Sequence, residues 1–176
     1  MLQPAMNRSI SIASLALLAL VLPGCSQQAE EQVTYEGIYQ ACLAGDTAAI
    51  KKYFEEGADA NTKGGQGMSC IAATIVSRNK DAFDALKEAK ADLTIKDDRG
   101  WNLLHFAATN DQVEIMEELV KAGLPLDELT KQDGASAYQL AKVYRGDAAA
   151  KWLEKQGADT TMRKLTGPTR SASPGG

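Results

Sequence analysis

A repeat of 33 or 34 residues runs through most of this chain and constrains its fold more than any single residue. Similar short segments, of the type Gly-Ala-Asp, begin at Gly57, Lys90, Gly123 and Gly157. A second series with the same spacing marks the other end of each unit, at Gly67, Gly100 and Gly134. Self-similarity at this period is typical of a solenoid built from stacked units.

Each unit is predicted to form two short helices. Apolar residues recur at helical spacing, stop at a polar pair such as Asn110-Asp111, and resume from Val113 to Val120. Side chains that can cap a helix start share one column before the first helix: Ser69, Asn102 and Ser136. Residues that can end a helix in a left-handed conformation follow the second helix: Gly57, Gly123 and Gly157, with Lys90 as the exception.

The segment from Asp97 to Ala108, DDRGWNLLHFAA, resembles the opening of an ankyrin repeat, and Gly57 to Asn61 resembles its close. The resemblance covers about residues 34–161 and implies an all-α solenoid of about four helix-turn-helix repeats. Their expected bounds are about 34–63, 64–96, 97–130 and 131–161. His105 falls in the family's histidine column, which implies a hydrogen-bonding strut between a loop and a helix start.

Residues 1–24 have the pattern of a secretory signal peptide. Arg8 supplies positive charge, and residues 10–22 form an apolar run too short to span a bilayer. A start at Met6 instead of Met1 would give an equally good signal, so the sequence leaves the true start open.

The apolar run ends in Leu22-Pro23-Gly24-Cys25, which resembles the lipobox of bacterial lipoproteins. The resemblance implies lipidation of Cys25 and a membrane anchor; the alternative is an ordinary signal peptide with an incidental cysteine. Because Ser26 and Gln27 replace the aspartate of an inner-membrane retention signal, we expect an outer-membrane anchor that faces the periplasm in a cell with two membranes. In a bacterium with one membrane, the same sequence would place the domain on the outer cell face. Residues 25–33 are predicted to be a solvated tether.

The composition fits one domain with an acidic surface. The 176 residues carry a net charge of −4 and no basic stripe, which argues against a nucleic-acid partner. Residues 162–176 are poor in large apolar side chains and are predicted to be a disordered tail. We expect the protein to be a monomer.

Two cysteines remain besides Cys25, and we expect both to be small buried apolar side chains. Cys42 falls late in the first helix of its unit, whereas Cys70 begins the first helix of the next unit. The packing distance and this axial offset are predicted to exceed the reach of a disulfide, although an oxidising compartment would permit one.

Nothing in the sequence argues for an enzyme, a metal site or a cofactor. His105 has no cysteine or carboxylate cluster beside it that could complete a metal site. Gly64-Gly65-Gln66-Gly67 lacks the lysine and the serine or threonine of a phosphate-binding loop, so we interpret it as a loop between repeats.

The resemblance also implies a concave binding surface, made by the loops between repeats (the fingers) and the first helices. The contact positions implied for the four units are, in chain order, Tyr35 and Leu43; Gln66, Met68, Val76 and Ser77; Asp98, Arg99, Trp101, Thr109 and Asn110; and Gln132, Ala135, Val143 and Tyr144. We expect Trp101 to be an exposed interface anchor beside Arg99; the alternative is that it packs on a neighbouring finger. Met68, Val76 and Val143 are expected to pack between repeats.

Two functional hypotheses follow. The first is a lipid-anchored periplasmic protein that binds one protein partner without catalysis, as an immunity or inhibitor protein does. The second is a scaffold or accessory factor for an envelope enzyme.

Overall fold

The computed structural model describes residues 35–165, with side chains from Gly37 onward, and this part of the chain is built from helices. The helices are α1 (Tyr35–Ala44), α2 (Thr47–Glu55), α3 (Cys70–Val76), α4 (Lys80–Glu88), α5 (Leu103–Thr109), α6 (Val113–Lys121), α7 (Ala137–Val143) and α8 (Asp147–Gln156). A 3-10 turn, Gly65–Gly67, lies in the first finger. The predicted all-α repeat fold with two short helices per unit is confirmed.

The units stack through their first helices. α1 packs on α3, α3 on α5 and α5 on α7, and each second helix packs on the first helix of its own unit. The buried apolar side chains form one continuous cluster, in which Phe83, Leu104 and Leu119 are fully buried. Because neighbouring units supply the two sides of this core, no unit could bury its apolar face alone.

The predicted helix caps are present. Asn102 Oδ1 accepts a hydrogen bond from the His105 N–H at 3.0 Å, and the Ser69 and Ser136 hydroxyls accept equivalent bonds at the starts of α3 and α7. Such bonds satisfy backbone donors that the helix itself leaves unpaired. The start of α8 takes its cap from the preceding unit, since Asp111 Oδ1 accepts from the Ala149 N–H at 2.6 Å.

Three of the four second helices end at the predicted left-handed glycines. Gly57, Gly123 and Gly157 have φ values of 90°, 99° and 86°, where a side chain would cost free energy. Lys90 holds the same place after α4 with φ of 62°, so the chain accepts this strain at one of its four repeats.

Several predictions concern residues outside the described range, namely the signal peptide, the Cys25 lipidation site, the tether and the tail beyond residue 165. Within the range, the contacts continue past the expected boundary at 161, because Gln139 Nε2 donates to the Arg163 carbonyl at 2.9 Å and Leu165 packs on the core. No helix among residues 35–165 is long and apolar enough to cross a membrane.

Candidate protein-binding groove

The buried carboxylate of Asp97 stabilises the turn of the second finger. Its side chain is 1% exposed, and its Oδ1 accepts from the backbone N–H groups of Arg99 (3.0 Å) and Trp101 (2.8 Å). Its other oxygen accepts from Arg99 Nε at 2.9 Å and lies 2.8 Å from Nη2 of the same guanidinium. One buried carboxylate therefore fixes both the turn and the direction of the Arg99 side chain.

Backbone hydrogen bonds join each finger to the next. The Asp98 N–H donates to the Gln66 carbonyl at 3.1 Å, and the Arg99 carbonyl accepts from the Lys131 N–H at 3.0 Å. Gly100 makes this approach possible, because a Cβ at this position would lie 2.6 Å from the Lys131 nitrogen. The fingers are therefore held as one linked row.

Trp101 lies at the centre of an aromatic cluster. Its ring centroid is 5.3 Å from that of Phe106 and 6.4 Å from that of Tyr144, the latter at an interplanar angle of 83°. The Arg99 guanidinium lies over the indole, with its central carbon 4.3 Å from the ring centroid. The Arg99 guanidinium is therefore held on two sides, by the Asp97 carboxylate and by the face of the indole.

The prediction that Trp101 is an exposed anchor is wrong in its exposure, since the residue is only 7% exposed. The reason is tertiary: Arg99 covers one side of the indole, and Tyr144 of the next unit packs edge-on against it. The exposed aromatic residue of this cluster is Tyr144, at 52%. A binding role for Trp101 stays a prediction, and replacement of so buried a ring would also lower stability.

These side chains line a hollow of about 270 Å³ between the fingers and the ends of the first helices, which we call the groove. Its lining consists of Met68, Val76, Arg99, Trp101, Phe106, Thr109, Asn110 and Tyr144. Seven of the predicted contact positions therefore meet there, namely Met68, Val76, Arg99, Trp101, Thr109, Asn110 and Tyr144. Asn110 is anchored by its own helix, because its Nδ2 donates to the Phe106 carbonyl at 2.9 Å.

Gln66 and Asp98 do not line the groove. Both are exposed at the finger tips, joined by the backbone hydrogen bond described above. The Asp98 side chain turns toward the preceding finger, where a Cβ on Gly67 would lie 2.4 Å from its Oδ1. Their role in binding a protein stays a prediction.

A ladder of exposed apolar side chains runs along the ends of the first helices. Leu43, Val76 and Val143 occupy equivalent places in the first, second and fourth units and are 38%, 41% and 49% exposed. Thr109 holds the third place. The expectation that Val76 and Val143 pack between repeats is wrong, because each sits in the last turn of its helix, beyond the stacked interface. Met68 is partly buried against the core, as expected.

His105 is the strut that the sequence predicts. Its Nδ1 accepts from the Asn102 N–H at 3.1 Å, so the opposite nitrogen carries the proton and donates to the Glu128 carbonyl at 3.0 Å. Asn102 Nδ2 also donates to the Glu128 carboxylate at 2.8 Å. The hydrogen bond from Lys96 lowers the pKa of that carboxyl, and burial lowers the pKa of His105. Through these two hydrogen bonds, His105 joins the start of α5 to the third finger.

Both described cysteines are free and buried, as predicted. The neighbouring Cys70 side chain and burial raise the pKa of the Cys42 thiol. No group of three or more histidine, cysteine, aspartate or glutamate side chains in residues 35–165 could hold a metal ion.

Sequence reasoning missed Asp97 and Phe106 as residues that build the groove. Asp97 had a signal, because it stands four residues before Trp101 at the start of a glycine turn, where a carboxylate can accept from turn N–H groups. Phe106 is the largest side chain in its repeat column, which also holds Gln40, Ala73 and Leu140. That excess size is what reaches the indole.

Comparison with known proteins agrees with the repeat fold described above. A family model described as "Ankyrin repeats (3 copies)" matches the chain in two overlapping placements, residues 38–133 and 70–164. Together these placements cover more than half of the 176 residues and include all but the first few described residues and the last.

Two relatives are similar over the repeat region. The "RelA-associated inhibitor" of Mus musculus is 28% identical over 108 residues, which is 61% of this chain and 13% of that protein. A "Putative ankyrin repeat-containing protein" of Treponema pallidum (strain Nichols) is 30% identical over 97 residues, 55% of this chain and 33% of that protein. In both cases the match spans a minor part of the relative.

Proposed function

Because the chain belongs to the ankyrin-repeat family, we propose that it is a non-enzymatic interaction module that binds one protein partner in the groove. The observation that carries the proposal is the exposed apolar ladder of Leu43, Val76 and Val143, which ends beside Tyr144. A row of exposed apolar side chains with polar residues around it is typical of an interaction surface.

The groove also has the residue types that dominate binding free energy. Arg99 and Tyr144 present a guanidinium and a phenol next to the Trp101 indole, and arginine and tyrosine are enriched at the energetic centres of interfaces. Because Asp97 and the linked fingers already hold these groups, little reorganisation is needed when a partner binds.

The test is capture of the partner by a variant with a charge in the ladder. Val76→Lys places an ammonium group on the lining of the groove, at a ladder residue that is 41% exposed, and we expect capture to weaken about tenfold or more. Leu129→Lys is the matched control, because Leu129 is 43% exposed but lies outside the groove. Equal capture by both variants, with unchanged thermal unfolding, contradicts binding in the groove.

The finer part of the proposal is that the domain is lipid-anchored through Cys25 at the periplasmic face of an outer membrane. It is supported by the apolar run that ends at Gly24-Cys25. Cys25→Ser should abolish incorporation of labelled fatty acid and release the protein from the membrane fraction, whereas Cys42→Ser should change neither. Fatty acid retained by Cys25→Ser contradicts the anchor.

Within this role we propose inhibition of the partner, as in an immunity protein, with scaffolding as the alternative. This proposal is supported by one relative, matched over 61% of this chain, whose name describes an inhibitor. Once the partner is isolated, addition of the repeat protein should lower the partner's activity, and addition of the Val76→Lys variant should leave that activity higher. Unchanged activity in the saturated complex favours the scaffold.

A further inference from the structure

The groove presents a positive charge to a partner. Of the described residues that line it, Arg99 alone carries a charge. The side chain of Arg99 is 33% exposed, whereas that of Asp97, which holds it, is 1% exposed. A bound partner can therefore contact the guanidinium but cannot reach the carboxylate that compensates its charge.

The Arg99 guanidinium still has N–H groups available for a partner. Its Nε donates to Asp97 Oδ2, and its Nη2 forms an ion pair with the same oxygen at 2.8 Å. Within residues 35–165, Nη1 has no hydrogen-bond acceptor. Because arginine carries five N–H donors in a fixed planar fork that matches a carboxylate, the remaining donors can bind one more carboxylate.

Two further arginines lie beside the groove, and both are exposed. Arg78 Nη2 donates to the carbonyl of Asn110, a residue of the groove lining, and Arg145 directly follows Tyr144. Both take the left-handed place after the first helix of their unit. Asp111 holds that place in the third unit, but its carboxylate caps the start of α8. Positive charge thus lies beside the groove of a chain whose net charge is −4.

The rest of the lining suits an apolar side chain. Met68 and Val76 line the same hollow as the rings of Trp101 and Phe106. The Thr109 hydroxyl donates to the Phe106 carbonyl at 2.9 Å, so its proton is already used. A hollow of about 270 Å³ is smaller than most small-molecule sites, which span roughly 300–1,000 Å³, and it fits a single large side chain of a protein partner.

We propose that the groove recognises a short segment of its protein partner in which an acidic residue lies next to a large apolar residue. The carboxylate binds the available N–H groups of Arg99, and the apolar side chain enters the hollow beside Val76 and Phe106. Arg78 and Arg145 attract such a segment and raise the rate of association. This inference rests on the proposed function, because it names the segment that the groove would bind.

The first experiment selects ligands with the full chain carrying Cys25→Ser, which removes the predicted lipidation site. The immobilised protein is used to select short peptides from a random library displayed on phage, and the affinity of each selected peptide is measured by fluorescence anisotropy. We expect the selected sequences to share an aspartate or glutamate close to a large apolar residue. Peptides without an acidic residue, or the absence of any binding peptide, contradict the proposal.

A double-mutant cycle then tests the contact with Arg99. Replacement of the acidic residue of the peptide by its amide should weaken binding to the unmodified groove about tenfold. The same replacement should weaken binding to Arg99→Gln by less than about twofold, because the contact is already lost. Lys131→Gln should keep the tenfold effect, since Lys131 is an exposed cation of the third finger and does not line the groove.

Equal losses for the unmodified groove and Arg99→Gln contradict the contact, provided that thermal unfolding shows a folded variant. A peptide amide that binds the unmodified groove as well as the acid does contradicts the proposal whatever the stability of any variant. This second comparison changes the peptide alone.

Val76→Gln separates this inference from the proposed function, because it alters an apolar lining residue without a change of charge. If Val76→Gln weakens the binding of peptides that need no acidic residue, the groove binds a segment of another chemistry and this inference alone is wrong. If Val76→Gln leaves the binding of every selected peptide unchanged, binding in the groove is contradicted as well.

Discussion

Asp97 shows how much of the groove depends on one buried side chain. Its carboxylate accepts from two backbone N–H groups and the Arg99 guanidinium, while its own N–H donates to the Trp101 carbonyl at 3.0 Å. The aspartate therefore determines both the finger and the position of the cation over the indole.

Asp97→Ala should lower the free energy of unfolding by about 2–3 kcal/mol, because it leaves buried donors without their charged acceptor. Urea denaturation measures this value. Asp98→Ala is the control: Asp98 is the exposed neighbour, and its loss should cost less than about 0.5 kcal/mol. Similar costs for the two variants contradict the role given to Asp97.

His105 predicts a pH dependence of stability. Burial lowers its pKa in the folded state, although the carboxylates of Glu128 and Asp133 face it and oppose the shift. The unfolded chain therefore takes up the proton first as the pH falls. The contribution of neutral, buried His105 to the free energy of unfolding is complete above about pH 6.5. It is lost progressively as the pH falls below that value toward the pKa of His105 in the folded state.

Between about pH 7 and pH 5, the free energy of unfolding should fall by at most about 1.4 kcal/mol per pH unit. His105 is the only histidine, so His105→Gln should flatten the profile in this window. Glu128, with its lowered pKa, contributes its own loss only below about pH 4.5. Parallel profiles for the two proteins would show that His105 is not the cause.

At the scale of a helix, α4 departs from the other second helices at its end. Lys90 takes the left-handed place with the same pair of backbone hydrogen bonds that Gly57 and Gly123 make, its N–H to the Lys87 carbonyl and that of Ala91 to the Leu86 carbonyl. The backbone hydrogen bonds that end the helix are thus all formed at Lys90. The unfavourable feature is a residue with a side chain at a positive φ.

Lys90→Gly should therefore raise the free energy of unfolding by about 1 kcal/mol, measured by urea denaturation. Gly123→Lys is the reciprocal control and should lower it by a similar amount, because Gly123 has φ of 99° at the equivalent place. A loss of stability in Lys90→Gly would mean that the lysine side chain makes a contact that outweighs the backbone strain.

For the whole molecule, the repeat, its helices and their caps could be predicted because they rest on local spacing. Ser69 and Asn102 cap their helices through atoms three residues away. The exposure of Trp101 could not be predicted in this way, because it depends on Tyr144 from the following unit and on the position that Asp97 gives to Arg99.

The exposure of Val76 and Val143 could not be predicted from spacing either, because it depends on where the last turn of each helix emerges from the stacked interface.

The most direct measurement of protein binding in the groove uses a photo-crosslinking amino acid at Tyr144, in the cells that produce the protein. Lys151 on α8, which is exposed and outside the groove, is the matched position. We predict one crosslinked protein of defined mass at position 144 and none at 151. The absence of any adduct at 144, or the same adducts at both positions, would contradict a partner in the groove.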